Sequence, residues 1–140
     1  MKNVVGVSIL LVVLVALDAE AKVFSRCGLF HALKKHSINS NLPDWVCLVE
    51  AESGRNTAAK GGPNRDGSYD FGLFQINSRY WCGLNGKGGD CNIKCSDLLN
   101  DDISDDAKCA LKIYRRHGFS AWYGWKNKCN GKPLPDLSKC

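Results

Sequence analysis

No Asn-x-Ser/Thr triplet occurs in the sequence, so the chain offers no acceptor for an N-linked glycan. No Gly-x-Ser-x-Gly accompanies its three histidines, which removes the signature of a serine hydrolase and leaves His31 and His36 as ordinary helix residues. The glycine-rich loop 85–89 lacks the spacing of a phosphate-binding loop. Internal repeats, low-complexity runs and any composition shift that would mark a second domain are missing too. After residue 21 no apolar run approaches the roughly 20 residues that a membrane-spanning helix needs. What is present is a short apolar start followed by sequence for one domain.

The start has the character of a secretory leader. Met1-Lys2 is positive, Val4 to Leu17 is almost unbroken apolar sequence, and Ala19-Glu20-Ala21 supplies a small-x-small cleavage pattern. The expected organisation is a signal peptide at residues 1–21 and a secreted, extracellular domain at 22–140. The chain carries +5, of which the leader contributes −1 through one lysine and two acids, leaving +6 on residues 22–140. A basic secreted domain favours anionic partners such as bacterial envelopes or nucleic acid. Charge alone does not choose between them, and solubility is its plainest use.

All eight cysteines follow the leader: Cys27, Cys47, Cys82, Cys91, Cys95, Cys109, Cys129 and Cys140. An even number in a secreted chain predicts four disulfides. Zinc is the rival reading of the Cys91-x-x-x-Cys95 spacing, but no histidine lies near that pair and oxidation consumes the thiolates. Spacing alone selects none of the possible pairings.

A first helix is predicted over Arg26–His36, where Leu29, Ala32, Leu33 and His36 share a stripe. Asn39-Ser40-Asn41 breaks it, and Pro43 suits the first turn of a second helix at Asp44–Glu52. On that helix Trp45, Leu48, Val49 and Glu52 share one face, whereas Glu50 points about 200° away from Glu52. Glu52 leaves the apolar side, where desolvation favours the neutral acid; Glu50 has the place of a solvated surface charge. Taken alone, Glu52 is best explained as a capping or salt-bridged carboxylate, and Asp70 changes that balance. Residues 54–69 are rich in helix breakers, Asp66-Gly67 signals a tight turn, and Tyr69–Asn77 has the mixture of a short strand. A small antiparallel sheet is therefore expected over Asn56–Asn77, with Asp70 on a polar strand. Surroundings this unlike push two acids' pKa values apart, which acid-assisted glycoside cleavage requires. Tyr80-Trp81 follows as either a sugar platform or core filler. An acidic segment then leads into a helix at Ile103–His117, its early aspartates suiting the helix dipole. A last helix at Ala121–Cys129 carries Trp122 and Trp125.

These features resemble the C-type lysozymes over essentially all of residues 22–140. The most specific stretches are Trp45-Val46-Cys47 through Glu52-Ser53, Asp70 through Cys82, and Ala121-Trp122-Tyr123-Gly124-Trp125-Lys126-Asn127-Lys128-Cys129, with the arthropod branch the nearest in character. The resemblance implies an α+β, lysozyme-like fold in which a mostly helical lobe and a small antiparallel β-sheet lobe flank a cleft. It implies the disulfides Cys27–Cys140, Cys47–Cys129, Cys82–Cys95 and Cys91–Cys109. It also implies retaining hydrolysis of the β-1,4 bond between N-acetylmuramic acid and N-acetylglucosamine. Glu52 would be the general acid and Asp70 the nucleophile or charge stabiliser. Trp122 matches the ring that packs on the acid, Asn77 the partner of the second carboxylate, and Asn64, Gln75, Tyr80 and Trp81 cleft positions. C-type lysozymes are themselves the type case of two carboxylates in unlike environments, so that argument and the resemblance are not independent. The implied partner is bacterial cell-wall peptidoglycan, with no nucleic acid, no stable membrane insertion and a monomeric state. Positive charge leans towards antibacterial defence over digestion.

Some positions depart from the family pattern. Tyr80 stands where a tryptophan edges the cleft, and the acid that many members carry before the last helix is missing. The loop Arg115-Arg116-His117-Gly118 is one residue shorter, which bears on the outermost sugar subsite. No cofactor is expected, with calcium the one exception to weigh. Some members and the α-lactalbumins bind it in the segment that here offers Asn100, Asp105 and Asp106 as side-chain ligands and Asp97 and Asp102 as carbonyl ligands. Calcium takes roughly six to eight oxygens, and Asn100 replaces one aspartate of that pattern. The bland account is a solvated helix start. Two non-enzymatic alternatives stand beside the hydrolase. An α-lactalbumin-like binding protein would be expected to lose one or both acids, and a purely cationic antibacterial protein needs neither.

Overall fold

The helical lobe grows from the two apolar stripes at the start of the domain. In this computed structural model, which describes Gly6 and residues 22–140, α1 spans Arg26–Lys35 and α2 spans Leu42–Ser53. The leader assigned to residues 1–21 otherwise lies outside the described residues. Ser25 caps α1 by accepting from the Gly28 N–H at 3.0 Å, and Leu29 and Leu33 are its buried side chains. α2 starts at Leu42 rather than Asp44, because Asn41 turns the chain in a left-handed conformation and Pro43 fits the first turn. Trp45, Val46, Leu48 and Val49 are all buried. That face is wider than the predicted stripe because α1 packs on one side and α4 (Tyr123–Lys128) on another. Glu50 is not the free surface charge the helical phase suggested. Arg26 at 3.0 Å and Arg55 at 3.4 Å hold it between α1 and the segment after α2.

The sheet is smaller than its sequence suggests. Its strands are β1 (Lys60–Gly61), β2 (Asp70–Phe71) and β3 (Ile76–Asn77), antiparallel in that order, with Asp70 opposite both Gly61 and Asn77. The one strand expected over Tyr69–Asn77 is instead two strands joined by a turn at 72–75. Leu73 and Phe74 are both fully buried. Neighbours in a strand point to opposite faces, and the turn at 72–75 is what sends both into the core here. Gly72 makes that turn at φ +74°; a Cβ there would lie 2.0 Å from the Leu98 carbonyl oxygen.

A 3₁₀ turn at Cys95–Leu99 leads to α3 (Ser104–His117), and another at Gly118–Ala121 leads to α4. The last helix is thus shorter than predicted, with Trp122 at its cap. Trp45 is the hub of the core. The rings of Phe119, Tyr114, Trp122 and Phe74 surround it with centroids at 5.0, 5.4, 5.6 and 5.8 Å, three of them edge-on. Phe74 reaches that hub from the β lobe, so one aromatic cluster joins the two lobes. Four disulfides complete the frame: Cys27–Cys140, Cys47–Cys129, Cys82–Cys95 and Cys91–Cys109, the pairs that the resemblance implies. Each contributes about 2–4 kcal/mol in the usual case. Among the described residues no helix is long and apolar enough to cross a membrane.

Candidate active site

Glu52 lies in the last turn of α2, where the apolar stripe meets a cleft of about 620 Å³. Its Oε1 accepts from the Gly124 N–H at 2.7 Å. Burial pushes its carboxyl above the ordinary glutamate value; the Gly124 hydrogen bond opposes this, and the charge of Asp70 adds to it. Trp122 lines the same cleft and is buried. Its indole N–H donates to the Phe74 carbonyl at 2.9 Å, so it turns a fixed ring, not a donor, towards the cleft.

Asp70 sits on β2 across the cleft, in wholly different company. Its Oδ1 accepts from the Asn77 Nδ2 and its Oδ2 from the Asn64 Nδ2, each at 3.0 Å. Both oxygens accept, as an ionised carboxylate can. Asn77 is delivered by the ladder itself, since it stands opposite Asp70 on β3.

A supporting network lies beneath that pair, which the sequence reading did not single out. The Ser68 hydroxyl accepts from Asn64 at 3.1 Å and from Asn77 at 2.9 Å, and itself donates to Asp66. Asp66 also accepts from the Ser68 N–H at 2.9 Å and from Arg79 at 3.2 Å. The Ser68 hydroxyl, then its N–H, then Arg79 hold the Asp66 carboxyl below the usual aspartate range. The side chains of Asp66 and Arg79 reach this network from turns, so strand alternation in the sequence does not bring them together. The Gly124 donor had no signal either, because a main-chain group far along the chain leaves no mark in side-chain pattern.

All eight residues singled out for the cleft line this one cavity: Glu52, Asp70, Asn64, Gln75, Asn77, Tyr80, Trp81 and Trp122. The adjacent rings Tyr80 and Trp81 both line the cleft but differ in exposure. Tyr80 is 58% exposed and Trp81 only 8%. Gln75 spends its amide N–H groups on the carbonyls of Ala59 and Gly72, each at 3.0 Å, and so braces the 72–75 turn against the residue that precedes β1.

The calcium candidates do not form a comparable set. Among the described residues no group of three or more His, Cys, Asp or Glu side chains is placed to hold a metal ion. Asn100 turns its Oδ1 to the Asp102 N–H at 3.1 Å, and Asp102 turns its Oδ1 to the Ser104 N–H and hydroxyl at 3.0 and 2.6 Å. Asp105 adds no further carboxylate to such a group, and the carbonyls offered by Asp97 and Asp102 lie outside that side-chain comparison. Asp106 departs from the account of a solvated helix start, being 1% exposed. It packs by Gly72, where an added Cβ would meet its Oδ2 at 2.7 Å. Neither carboxyl oxygen has a hydrogen-bond partner. Burial pushes this carboxyl up to about 8, and the charges of Asp105 and Asp102 add to that. The N–H groups of Asp106 and Leu73 lie close enough to oppose the shift but outside hydrogen-bond geometry.

Fold and site together define a two-carboxylate glycoside hydrolase of α+β architecture. Residues 22–140 match the model of the C-type lysozyme/alpha-lactalbumin family. A lysozyme of Bombyx mori is 60% identical over 130 residues, covering 91% of this chain and 93% of that protein. Lysozyme c-1 of Anopheles gambiae is 56% identical over 123 residues, 87% of each. The crystal structure of lysozyme from Equus asinus matches with a TM-score of 0.75 at 46% identity, covering 84% of this chain and 95% of that one. The chain belongs to the C-type lysozyme/alpha-lactalbumin family, and its character within it is arthropod-like. It is a glycoside hydrolase with lysozyme function, and the non-enzymatic alternatives are not favoured.

Proposed function

We propose that the domain acts outside the cell on bacterial peptidoglycan, cutting the β-1,4 bond between N-acetylmuramic acid and N-acetylglucosamine with retention. Glu52 is the general acid and Asp70 the nucleophile or charge stabiliser. The observation that carries this is the unlike setting of two acids in one cleft. One is desolvated beside Trp122, and the other is held by two amide donors. Gly124 occupies Oε1 of Glu52, which leaves Oε2 to carry the proton to the glycosidic oxygen. Bond cleavage leaves positive charge at the anomeric carbon, and Asp70 bonds to or stabilises that centre. Glu52, now ionised, takes a proton from water as the water attacks from the face the leaving sugar vacated.

The same proposal treats residues 1–21 as a leader removed in secretion, the remaining domain as a monomer with no resident metal, and its role as defence. The family match from Lys22, the four disulfides and the +6 charge support that extension. Lysis of a Gram-positive wall suspension tests the chemistry. Glu52→Gln is expected to lose at least about 10²-fold, since no neighbouring acid can protonate the leaving oxygen, and Asp70→Asn to fall steeply as well. Full lytic rate in both variants, folded by thermal melting, would overturn the assignment.

A further inference from the structure

Beyond the Tyr80–Trp81 pair the cleft continues into a second recess of about 560 Å³. Tyr80, Trp81 and Ala121 line both spaces. A glycan lying along the first therefore ends at the mouth of the second. The chemistry changes at that boundary. The main cleft is lined by the acids Glu52, Asp66 and Asp70 with no cationic side chain among its lining residues, whereas the recess presents Arg116 and His117 against the single acid Asp90.

Arg116 is held in place rather than left to wander. Its guanidinium lies over the Trp81 ring, 5.4 Å from the centroid, and its Nη1 pairs with the Asp90 carboxylate. Lys112 binds the Asp90 main-chain carbonyl and so fixes that partner from α3. His117 stands edge-on to the same Trp81 at 6.0 Å. The pairing with Asp90 engages one nitrogen of a planar fork that has five N–H donors. Among the described residues nothing else occupies the rest, and the side chain is 46% exposed. A guanidinium oriented in advance, with donors to spare, matches a carboxylate. A neutral sugar has no group that calls for it.

Resting on the peptidoglycan reading above, we propose that this recess binds a carboxylate of the acidic peptide stem that muramic acid residues carry. Arg116 is the anchoring residue. Asp90 aligns it and offers an acceptor to stem N–H groups. The recess thereby sets a preference for stem-bearing glycan over neutral glycan of the same backbone.

Three substrates separate the possibilities: soluble stem-bearing glycan purified free of wall phosphate polymers, the same glycan stripped of stems by an amidase, and a neutral chito-oligosaccharide. Arg116→Gln, checked for folding by thermal melting, is expected to lower the ratio of stem-bearing to neutral kcat/KM roughly tenfold, mainly through KM, as loss of one charge-assisted hydrogen bond would. Arg116→Lys, which keeps the charge but not the fork, is expected to restore part of that ratio. The ratio of stripped to neutral glycan is expected to stay nearly constant. A proportional fall on all three substrates would show that Arg116 only braces Trp81 and would overturn the proposal. An equal fall on stripped and stem-bearing glycan would overturn the stem as the ligand, leaving the lactyl carboxylate. Wild type inactive on both muramic glycans would sink the peptidoglycan reading itself, a result distinct from either.

Discussion

Burial raises the pKa of Glu52, and on the proposed reading Trp122, which lines the same cleft, supplies that shielding. Its buried ring lines the cleft with Glu52, and the bond to the Phe74 carbonyl holds it there. Trp122→Phe leaves a smaller ring without that bond, so water approaches Glu52 and its pKa falls towards the ordinary value. The acid works only while protonated, and activity declines as pH rises through that pKa. The alkaline limb of kcat/KM is therefore expected to move to lower pH. A limb that stays put would remove Trp122 as the cause of the raised pKa. At this scale the sequence was informative about side chains and silent about main chain. Helical phase separated Glu52 from Glu50, because a wrong face costs solvation of the acid or burial of its neighbours. The Gly124 N–H came from the far end of the domain without any residue type to announce it. The Asp66–Ser68–Arg79 support became visible only with the hairpin's pairing, which brings the turns at Asp66 and Arg79 together.

Among the elements, the turn at 72–75 and the start of α3 have to be taken together. Periodicity favoured one strand over Tyr69–Asn77, since aromatic and branched residues fit a pleated surface equally well on either side of a hidden turn. Gly72 and the double burial of Leu73 and Phe74 were the available contrary signals. The turn needs Gly72 because the Leu98 carbonyl of the 3₁₀ turn approaches so closely there, and the buried Asp106 of α3 packs beside it. Its folded pKa of about 8 lies above an ordinary unfolded aspartate near 4. The folded state therefore holds a proton that the unfolded state releases. Stability from that group is intact below about pH 4 and drains away as pH rises towards and through 8. Asp106→Asn keeps the neutral shape and cannot ionise. Its Tm is expected to exceed that of wild type by at least about 5 °C at pH 7.5, with the gap closing towards pH 4. A gap that is absent, or that widens in acid, would contradict the buried-acid account. The same melts at low salt, with calcium and with chelator, are expected to coincide, and a calcium-dependent rise would reinstate the metal.

Across the whole molecule, the class of fold was legible because its markers are global: eight cysteines, a break between helical and turn-rich sequence, and one acid in each. Element ends were less so, since they depend on partners that arrive from elsewhere, as α4 does against α2. The leader boundary is also a question for the whole chain. The Lys22 backbone nitrogen donates to the buried Thr57 hydroxyl at 3.0 Å, and that hydroxyl donates to Asp101 at 3.1 Å. Cleavage before Lys22 would turn that nitrogen into an ammonium group one hydrogen bond removed from a carboxylate. N-terminal sequencing of the exported protein is expected to begin at Lys22, and a start several residues away would overturn the boundary.

The bond between Cys27 and Cys140 joins residues 113 apart and turns nearly the entire domain into a covalent ring, with the other three bridges as internal chords. On the proposed reading the enzyme opens bacteria, and it would then work among their peptidases. A single backbone cut anywhere between residues 27 and 140 opens the ring but detaches nothing. Both new ends remain tethered to one body, with the rest of the fold still stapled around the break. For such a molecule digestion is gradual, and dismantling it takes repeated cuts or a reductant.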